Sequence, residues 1–263
     1  MPRATATATP EQLVEVLPLI KGADAVELKL TVPDRDHRSA VAALEMDVLS
    51  GQIRQVMFFD TPDLTLNAAG VVVRARRIQG KPADTVVKLR PIVPAEVPSR
   101  IRKSESFGIE VDAMLGGFVC SGSMKADVDA EKATETFAGR RVPSKLFTQE
   151  QRDFYADHAP EGLSIDSLSM LGPINILKLK FTPKEFGRKM VAELWLYPGG
   201  TRILELSTKC APDEAFDMAE KTKAFLTSRG VDLAGEQQTK TKTALEFFAA
   251  ELQSAARKRV TRK

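Results

Sequence analysis

Cationic residues recur in pairs, two positions apart, in three strand-like segments of the chain. The pairs are Arg74 with Arg76, Lys88 with Arg90, and Lys178 with Lys180. Residues two apart on a β-strand point to the same face, so each pair places two like charges side by side. Like charges repel, and their repetition indicates an anion between them, such as a phosphate chain held by charge-assisted hydrogen bonds. The alternative is an open sheet whose polar face simply meets water.

Carboxylates occur in the same kind of segment. They are Glu27 beside Lys29, Glu110 with Asp112, Glu193, and Glu205 with Ser207. Oxygen ligands are what Mg²⁺ requires, and this ion tolerates water in most of its positions. A lining of Arg and Lys with a few carboxylates therefore suits a phosphate chain together with a divalent cation.

Eight segments have the character of strands, with few helices between them. They are Val26–Val32, Gln52–Phe59, Val71–Ile78, Thr85–Arg90, Phe107–Ala113, Ile174–Phe181, Val191–Tyr197 and Thr201–Ser207. The Pro-Gly-Gly turn at 198–200 predicts an antiparallel hairpin between the last two, and short connections elsewhere favour the same pairing. If the sheet closes into a barrel, alternate residues of every strand point into its lumen.

Helical periodicity and capping signals predict helices around and after the strands. A capping box at Thr9–Gln12 begins a short helix that Pro18 ends, and the other helices are His37–Leu49, Phe147–Tyr155, Pro212–Arg229 and Thr241–Arg257. The polar, irregular segment from Cys120 to Pro160 is interpreted as an insertion that caps one end of the sheet. No linker divides the chain, so we expect an α+β protein with one domain over residues 1–263 and a helical pair at about 211–260.

Composition restricts the class of protein. The chain has 263 residues, 43% hydrophobic and 28% charged, which is enough to build a core. The two cysteines, Cys120 and Cys210, form no metal-binding motif. There is no run of 18 apolar residues, so we expect a cytoplasmic protein that does not insert into a membrane. The net charge of +3 gives no reason to expect nucleic acid as a partner.

Four stretches resemble the CYTH proteins, the triphosphate tunnel enzymes that include class IV adenylate cyclases, thiamine triphosphatases and inorganic triphosphatases. The stretches are AVELKL at 25–30, FFDTPDLTLNAAGVVVRAR at 58–76, TVVKLRP at 85–91 and RILELSTKCAPDEAF at 202–216. They are similar to the family's ExExK strand, its YFDTPDxxLxxxGxxLRxR motif, its TLKxP motif and its closing acidic strand. The resemblance implies an eight-stranded antiparallel tunnel with flanking and C-terminal helices.

The resemblance also implies roles for individual residues. Phosphate-binding residues would be Lys29, Arg74, Arg76, Lys88, Arg90, Lys178, Lys180 and Lys209, and the ligands of Mg²⁺ or Mn²⁺ would be Glu27, Glu205, Glu110, Asp112 and Glu193. Two acids of the family pattern are missing, because Ala25 and Ser207 stand in their places. One metal ion could still be held, whereas a second is harder to place.

Two classes of function follow. The first is metal-dependent hydrolysis or cyclisation of inorganic, nucleoside or thiamine triphosphate. The second is a non-catalytic module that binds polyphosphate or a nucleotide in the same basic tunnel. In either case Glu27 and Glu205 could be metal ligands or salt-bridge partners that balance the charge of the empty tunnel. The partner would be a small triphosphate or polyphosphate, and the oligomeric state, with a homodimer among the alternatives, stays open.

Overall fold

Nine β-strands close into a barrel in the computed structural model, which describes residues 10–114, 117–233 and 240–260. The strands are β1 (Ala25–Val32), β2 (Gln52–Asp60), β3 (Val71–Ile78), β4 (Ala83–Leu89), β5 (Phe107–Met114), β6 (Gly117–Val128), β7 (Ser169–Phe181), β8 (Met190–Leu196) and β9 (Arg202–Cys210). Their order around the barrel is β1-β5-β6-β4-β3-β2-β7-β8-β9, and β9 pairs with β1 to close it. The predicted α+β barrel is confirmed.

The barrel differs from the prediction in strand number and in one pairing. Eight strands were expected, all antiparallel, whereas the described residues form nine, and β1 runs parallel to β5 with Ala25 opposite Glu110. The other neighbouring pairs are antiparallel, including the β8–β9 hairpin around the Pro-Gly-Gly turn. A parallel pair needs a long connection, and here the chain passes through β2, β3 and β4 between its two members. The strand pattern alone carries no information on this pairing.

The additional strand is β6, which lies in the segment interpreted as an insertion. Its middle, at 120–123, consists of small residues, including the buried, lumen-facing Ser121 and Ser123, so this part lacks the large apolar residues that mark a strand. Their small side chains leave room for the long side chains of neighbouring strands. Gly122, on the outer face, lies against Phe107, where an added Cβ would come within 2.7 Å of the ring.

Eight α-helices surround the barrel in the described ranges. They are α1 (Pro10–Gly22), α2 (His37–Ala43), α3 (Thr65–Ala68), α4 (Ser99–Arg102), α5 (Ala130–Phe137), α6 (Gln149–Ala156), α7 (Ala215–Ser228) and α8 (Lys240–Val260). The helix predicted at Phe147–Tyr155 corresponds to α6. The last two predicted helices correspond to α7, which follows a 3₁₀ turn at Pro212–Glu214, and to α8. Thr9 of the predicted capping box lies outside the described residues.

Two helix boundaries were predicted wrongly. Pro18 does not end α1, which continues to Gly22 because Val16 and Ile20 are buried against the outer face of the barrel and offset the lost hydrogen bond. The helix predicted at His37–Leu49 ends at Ala43, because Glu45 adopts a left-handed conformation with φ +50°. In α1, tertiary packing thus overrides the local effect of the proline.

Apolar side chains on the outer faces of the strands pack under the helices, and the inner faces carry polar residues on one side and apolar residues on another. The buried outer residues include Phe59, Val73 and Val111. Burying each such side chain stabilises the fold by roughly 1.5–3 kcal/mol. Inside the barrel, Val56, Phe58 and other apolar residues of β2, β7, β8 and β9 form a cluster with α8. No helix in the described ranges is long and apolar enough to cross a membrane.

Candidate functional site

The barrel encloses a cavity of about 300 Å³ that is lined mainly by charged side chains. Eleven are cationic: Lys29, Arg54, Arg74, Arg76, Lys88, Arg90, Lys125, Lys178, Lys180, Lys209 and Lys240. Four are carboxylates: Glu27, Glu110, Asp112 and Glu193. Cations therefore outnumber carboxylates by seven in a space that is partly screened from water. Such an excess produces a strong positive potential that attracts anions.

The structure brings together most of the site residues that were predicted from the sequence. All eight of the predicted phosphate-binding residues line this cavity, as do four of the five predicted metal ligands. The fifth, Glu205, is 5% exposed and joins the group through Lys240. Arg74 and Arg76 both point inward, which is the position expected from the two-residue alternation of β3.

Three cationic residues of the cavity were missed by the sequence analysis. Arg54 shares the inner face of β2 with Val56, and it donates two hydrogen bonds to Gln52 Oε1 at 3.1 and 2.8 Å. The alternation of β2 was a signal that could have found it. Lys125 was missed together with its strand. Lys240 is the first residue of α8, and no periodicity in the sequence connects a helix terminus with the inside of a barrel.

Asp112 is the anionic centre of one side of the cavity. Its side chain is 2% exposed and contacts three cations: Lys29 Nζ at 2.8 Å, Arg90 Nη2 at 3.0 Å and Lys88 Nζ at 3.8 Å. Burial raises the pKa of Asp112, but the charges of Lys29 and Lys88 outweigh it and hold the pKa well below its usual range. Burial likewise disfavours the charge on Lys29, and Glu27 and Asp112 outweigh it and raise the pKa of that ammonium. One carboxylate therefore fixes three cations.

Glu110 and Glu27 hold further basic residues. Glu110 Oε1 lies 2.7 Å from Lys209 Nζ and 3.3 Å from Lys125 Nζ. Burial of Glu110 opposes ionisation, but Lys125 and Lys209 lower its pKa to about 2. Glu27 pairs with Lys29 at 3.3 Å and accepts a hydrogen bond from the Ser207 hydroxyl at 2.9 Å. Ser207 thus bonds a carboxylate and adds none to the cavity.

Arg74 and Arg76 differ in their partners although they share one face of β3. Arg76 forms a two-pronged ion pair with Asp84, with distances of 2.7 to 3.1 Å. Arg74 has no ion pair within the described residues, and its buried Nε has no hydrogen-bond partner there. Burial and the charge of Arg76 lower the pKa of Arg74 to about 10. A buried donor without an acceptor is costly, so Arg74 is the strongest candidate for contact with a bound anion.

Glu193 and Glu205 lie opposite each other on β8 and β9 and share the ammonium of Lys240. Lys240 Nζ lies 2.7 Å from Glu205 Oε1 and also donates to Glu193 Oε2. The other oxygen of Glu193 accepts from Lys178 Nζ at 2.8 Å. Burial opposes the charge on Glu193, but Lys240 and Lys178 hold its pKa well below the usual range.

The carboxylates do not fit a divalent metal ion in this arrangement. In the described ranges, no three His, Cys, Asp or Glu side chains converge on a point where an ion could bind. Each of the five predicted ligands instead contacts a lysine or an arginine. Mg²⁺ requires near-octahedral oxygen ligands, and an ammonium already occupies the space between Glu193 and Glu205. The observed arrangement is that of salt-bridge partners.

The stretch with the most specific resemblance, FFDTPDLTLNAAG, folds into a turn that positions the site. Buried Asp60 accepts hydrogen bonds from the backbone N–H groups of Thr61, Leu66 and Asn67 at 2.7 to 3.0 Å. Gly70 ends the turn with φ +75°, and a Cβ there would come within 2.7 Å of Arg90 O. The Arg90 N–H in turn donates to Gly70 O at 2.8 Å, which aligns β3 and β4 and their basic residues.

Comparison with solved structures shows that other proteins share this fold. A Hippeastrum protein named as a candidate adenylyl cyclase, with a dominant triphosphatase activity, has a TM-score of 0.59 and 17% identity over 81% of this chain and 91% of that one. A candidate adenylate cyclase from Bacillus halodurans has a TM-score of 0.57 and 12% identity over 83% of this chain and 98% of that one. No protein-family model and no curated protein matches the chain. The chain therefore has the closed-barrel tunnel fold of these two proteins.

Proposed function

We propose that the chain binds a triphosphate compound or a short polyphosphate in the cationic cavity of the barrel. The observation that carries the proposal is Arg74, a half-buried guanidinium whose buried Nε lacks an acceptor among the described residues, in a cavity with excess positive charge. A phosphate chain offers many acceptor oxygens and several negative charges, which matches both features. The cavity of about 300 Å³ is at the small end of ligand pockets and suits a phosphate chain better than a bulky ligand.

Hydrolysis of the bound triphosphate is the second candidate function. It is favoured by the fold shared with the Hippeastrum protein and its triphosphatase activity. Phosphoryl transfer depends on positioning and on neutralising the phosphoryl oxygens, and the arginines and lysines of this cavity are suited to both tasks. Cyclisation of a nucleoside triphosphate would need the same positioning. Mg²⁺ or Mn²⁺ would supply further charge in either reaction, but the observed carboxylates do not fit such an ion, because each contacts a lysine or an arginine.

Binding and turnover can be separated in one set of measurements. Inorganic triphosphate, ATP and thiamine triphosphate would each be titrated calorimetrically, and phosphate and pyrophosphate release and cyclic nucleotide formation would be followed in parallel. Each experiment would be run with Mn²⁺ and with EDTA. We expect binding of at least inorganic triphosphate that persists in EDTA. Failure of all three compounds to bind under both conditions would contradict the proposed function, whereas turnover would establish the second candidate.

Lys88 makes the affinity depend on pH. Burial and the neighbouring charges of Lys29, Arg90 and Arg74 outweigh the attraction of Asp112 and lower the pKa of Lys88 to about 8. A bound phosphate chain favours the charged ammonium and raises this pKa again, so binding takes up a proton near and above pH 8. We therefore expect the affinity for inorganic triphosphate to fall as pH rises from 7.5 to 9.5.

The matched control for this pH dependence is Lys88→Met, which removes the titrating group. Triphosphate itself titrates, so the informative quantity is the difference between the two proteins. The variant should bind more weakly at pH 7 and lose less affinity at high pH. Parallel profiles for the variant and the wild type would show that Lys88 does not take up the proton.

A further inference from the structure

We infer that the Lys240 ammonium is a built-in cation that occupies the position between Glu193 and Glu205 where a divalent metal ion would otherwise bind. The inference goes beyond the proposed function and does not depend on it, because it concerns the empty protein. It makes α8 the element that decides whether this carboxylate pair is available to a metal.

The charges at the carboxylate pair are already balanced. Glu193 and Glu205 carry two negative charges, and Lys240 together with Lys178 supplies two positive ones at hydrogen-bonding distance. A divalent ion would supply the same charge. To bind, it would have to displace one buried ammonium and lie close to another. Both steps are unfavourable, so the two carboxylates should have little affinity for Mg²⁺ or Mn²⁺ while Lys240 is in place.

The position of Lys240 is fixed from several sides. Its side chain is 14% exposed, and its ammonium lies 5.2 Å from the ring centroid of Trp195, in cation–π geometry. Its backbone carbonyl accepts a hydrogen bond from the Tyr197 hydroxyl at 2.9 Å. Burial disfavours the charge on Lys240, but Glu193 and Glu205 raise its pKa, so the side chain stays an ammonium. These contacts fix the Lys240 ammonium between the two carboxylates, so its position in the cavity is specific.

The test measures Mn²⁺ binding to the full chain by calorimetry, with no phosphate compound present. The wild-type protein should show no binding that depends on Glu205. Lys240→Met removes the ammonium and keeps an apolar side chain of similar length over Trp195. We expect this variant to bind Mn²⁺ at least about tenfold more tightly than the wild type, which corresponds to about 1.4 kcal/mol. Adding Glu205→Gln to Lys240→Met should abolish the gained site.

Three controls separate a cation site from a structural role. Lys240→Arg keeps the charge and should bind Mn²⁺ no better than the wild type. Lys242→Met removes a lysine two residues further along α8, whose side chain is 69% exposed, and should also leave Mn²⁺ binding unchanged. Thermal melting with and without Mn²⁺ verifies that each variant is folded, and only folded Lys240→Met should gain a higher melting temperature with the ion.

Two results would overturn the inference. One is wild-type Mn²⁺ binding that Glu205→Gln removes, since the pair would then hold a metal with Lys240 present. The other is a folded Lys240→Met variant that gains no Mn²⁺ binding. If Lys240→Met does not fold, two other measurements decide the question. Mn²⁺ binding is compared between the wild type and Glu205→Gln, and Lys240→Gln takes the place of Lys240→Met.

Discussion

Replacing Arg74 by Met should weaken the binding of inorganic triphosphate by about 10- to 150-fold, since a hydrogen bond to a charged group contributes about 1.5–3 kcal/mol. The same change should raise the melting temperature of the empty protein. Arg74 is a half-buried charge beside Arg76, and its buried Nε has no acceptor among the described residues, so an apolar side chain of similar length removes an unfavourable interaction. Weaker triphosphate binding together with a higher melting temperature would indicate that Arg74 serves anion binding at a cost to the stability of the empty protein.

The control variant lies on the same strand. Arg77 points to the outer face of β3, where its Nη1 donates to Gln55 Oε1 at 2.8 Å. Arg77→Met removes the same charge from the protein and should leave triphosphate affinity almost unchanged. Equal losses of affinity in the two variants would mean that net charge, and not the position of Arg74, governs binding. A lower melting temperature for Arg74→Met would mean that Arg74 has a structural partner.

Asp112→Asn should lower the free energy of unfolding of the empty protein by about 3–5 kcal/mol, because removing one member of a buried ion pair leaves uncompensated charges. Three cations, Lys29, Lys88 and Arg90, lose their common carboxylate. Chemical denaturation would measure the loss. Inorganic triphosphate should restore stability by mass action and should raise the melting temperature of the variant more than that of the wild type.

Asp127→Asn on β6 is the matched control for this variant, because Asp127 is exposed and lies outside the cavity. Its effect on stability should be small. Wild-type stability of Asp112→Asn, or destabilisation that inorganic triphosphate does not relieve, would contradict the role of Asp112 as the counter-ion of the cavity. The pKa of Asp112 is lowered in the folded protein, so its contribution is complete above the unfolded-state pKa of about 3.9 and decreases as pH falls below it.

The contacts of Glu205 bear on the two roles that the sequence left open for it. A metal ligand and a salt-bridge partner need the same carboxylate on the same strand, and only the neighbouring groups distinguish them. Glu205 lies against Lys240, and Glu27 lies against Lys29 and the Ser207 hydroxyl. These contacts favour charge balance and the binding-only alternative. The Mn²⁺ measurements on the Lys240 variants test this interpretation directly.

The sequence by itself determined which face of each strand carries the charges. The two-residue period of a β-strand is fixed by the backbone, so Arg74 and Arg76, or Lys178 and Lys180, must share a face wherever the strand lies. The hairpin at the Pro-Gly-Gly turn and the α+β barrel followed from equally local signals and from the resemblance. Together with closure of the barrel, this alternation lets the eight predicted phosphate-binding residues line one cavity, although their role in binding stays a prediction.

Only the tertiary structure decided how these faces meet and which charges neutralise one another. The strand β6 was not predicted, because serines occupy lumen-facing positions at which the other strands have larger side chains. The parallel pairing of β1 with β5 joins segments that are distant in the chain, and no local propensity encodes it. The place of Lys240 depends on α8 packing against the apolar cluster of the barrel. A helix terminus has no fixed period relative to a strand, so only closure and packing could bring that ammonium between Glu193 and Glu205.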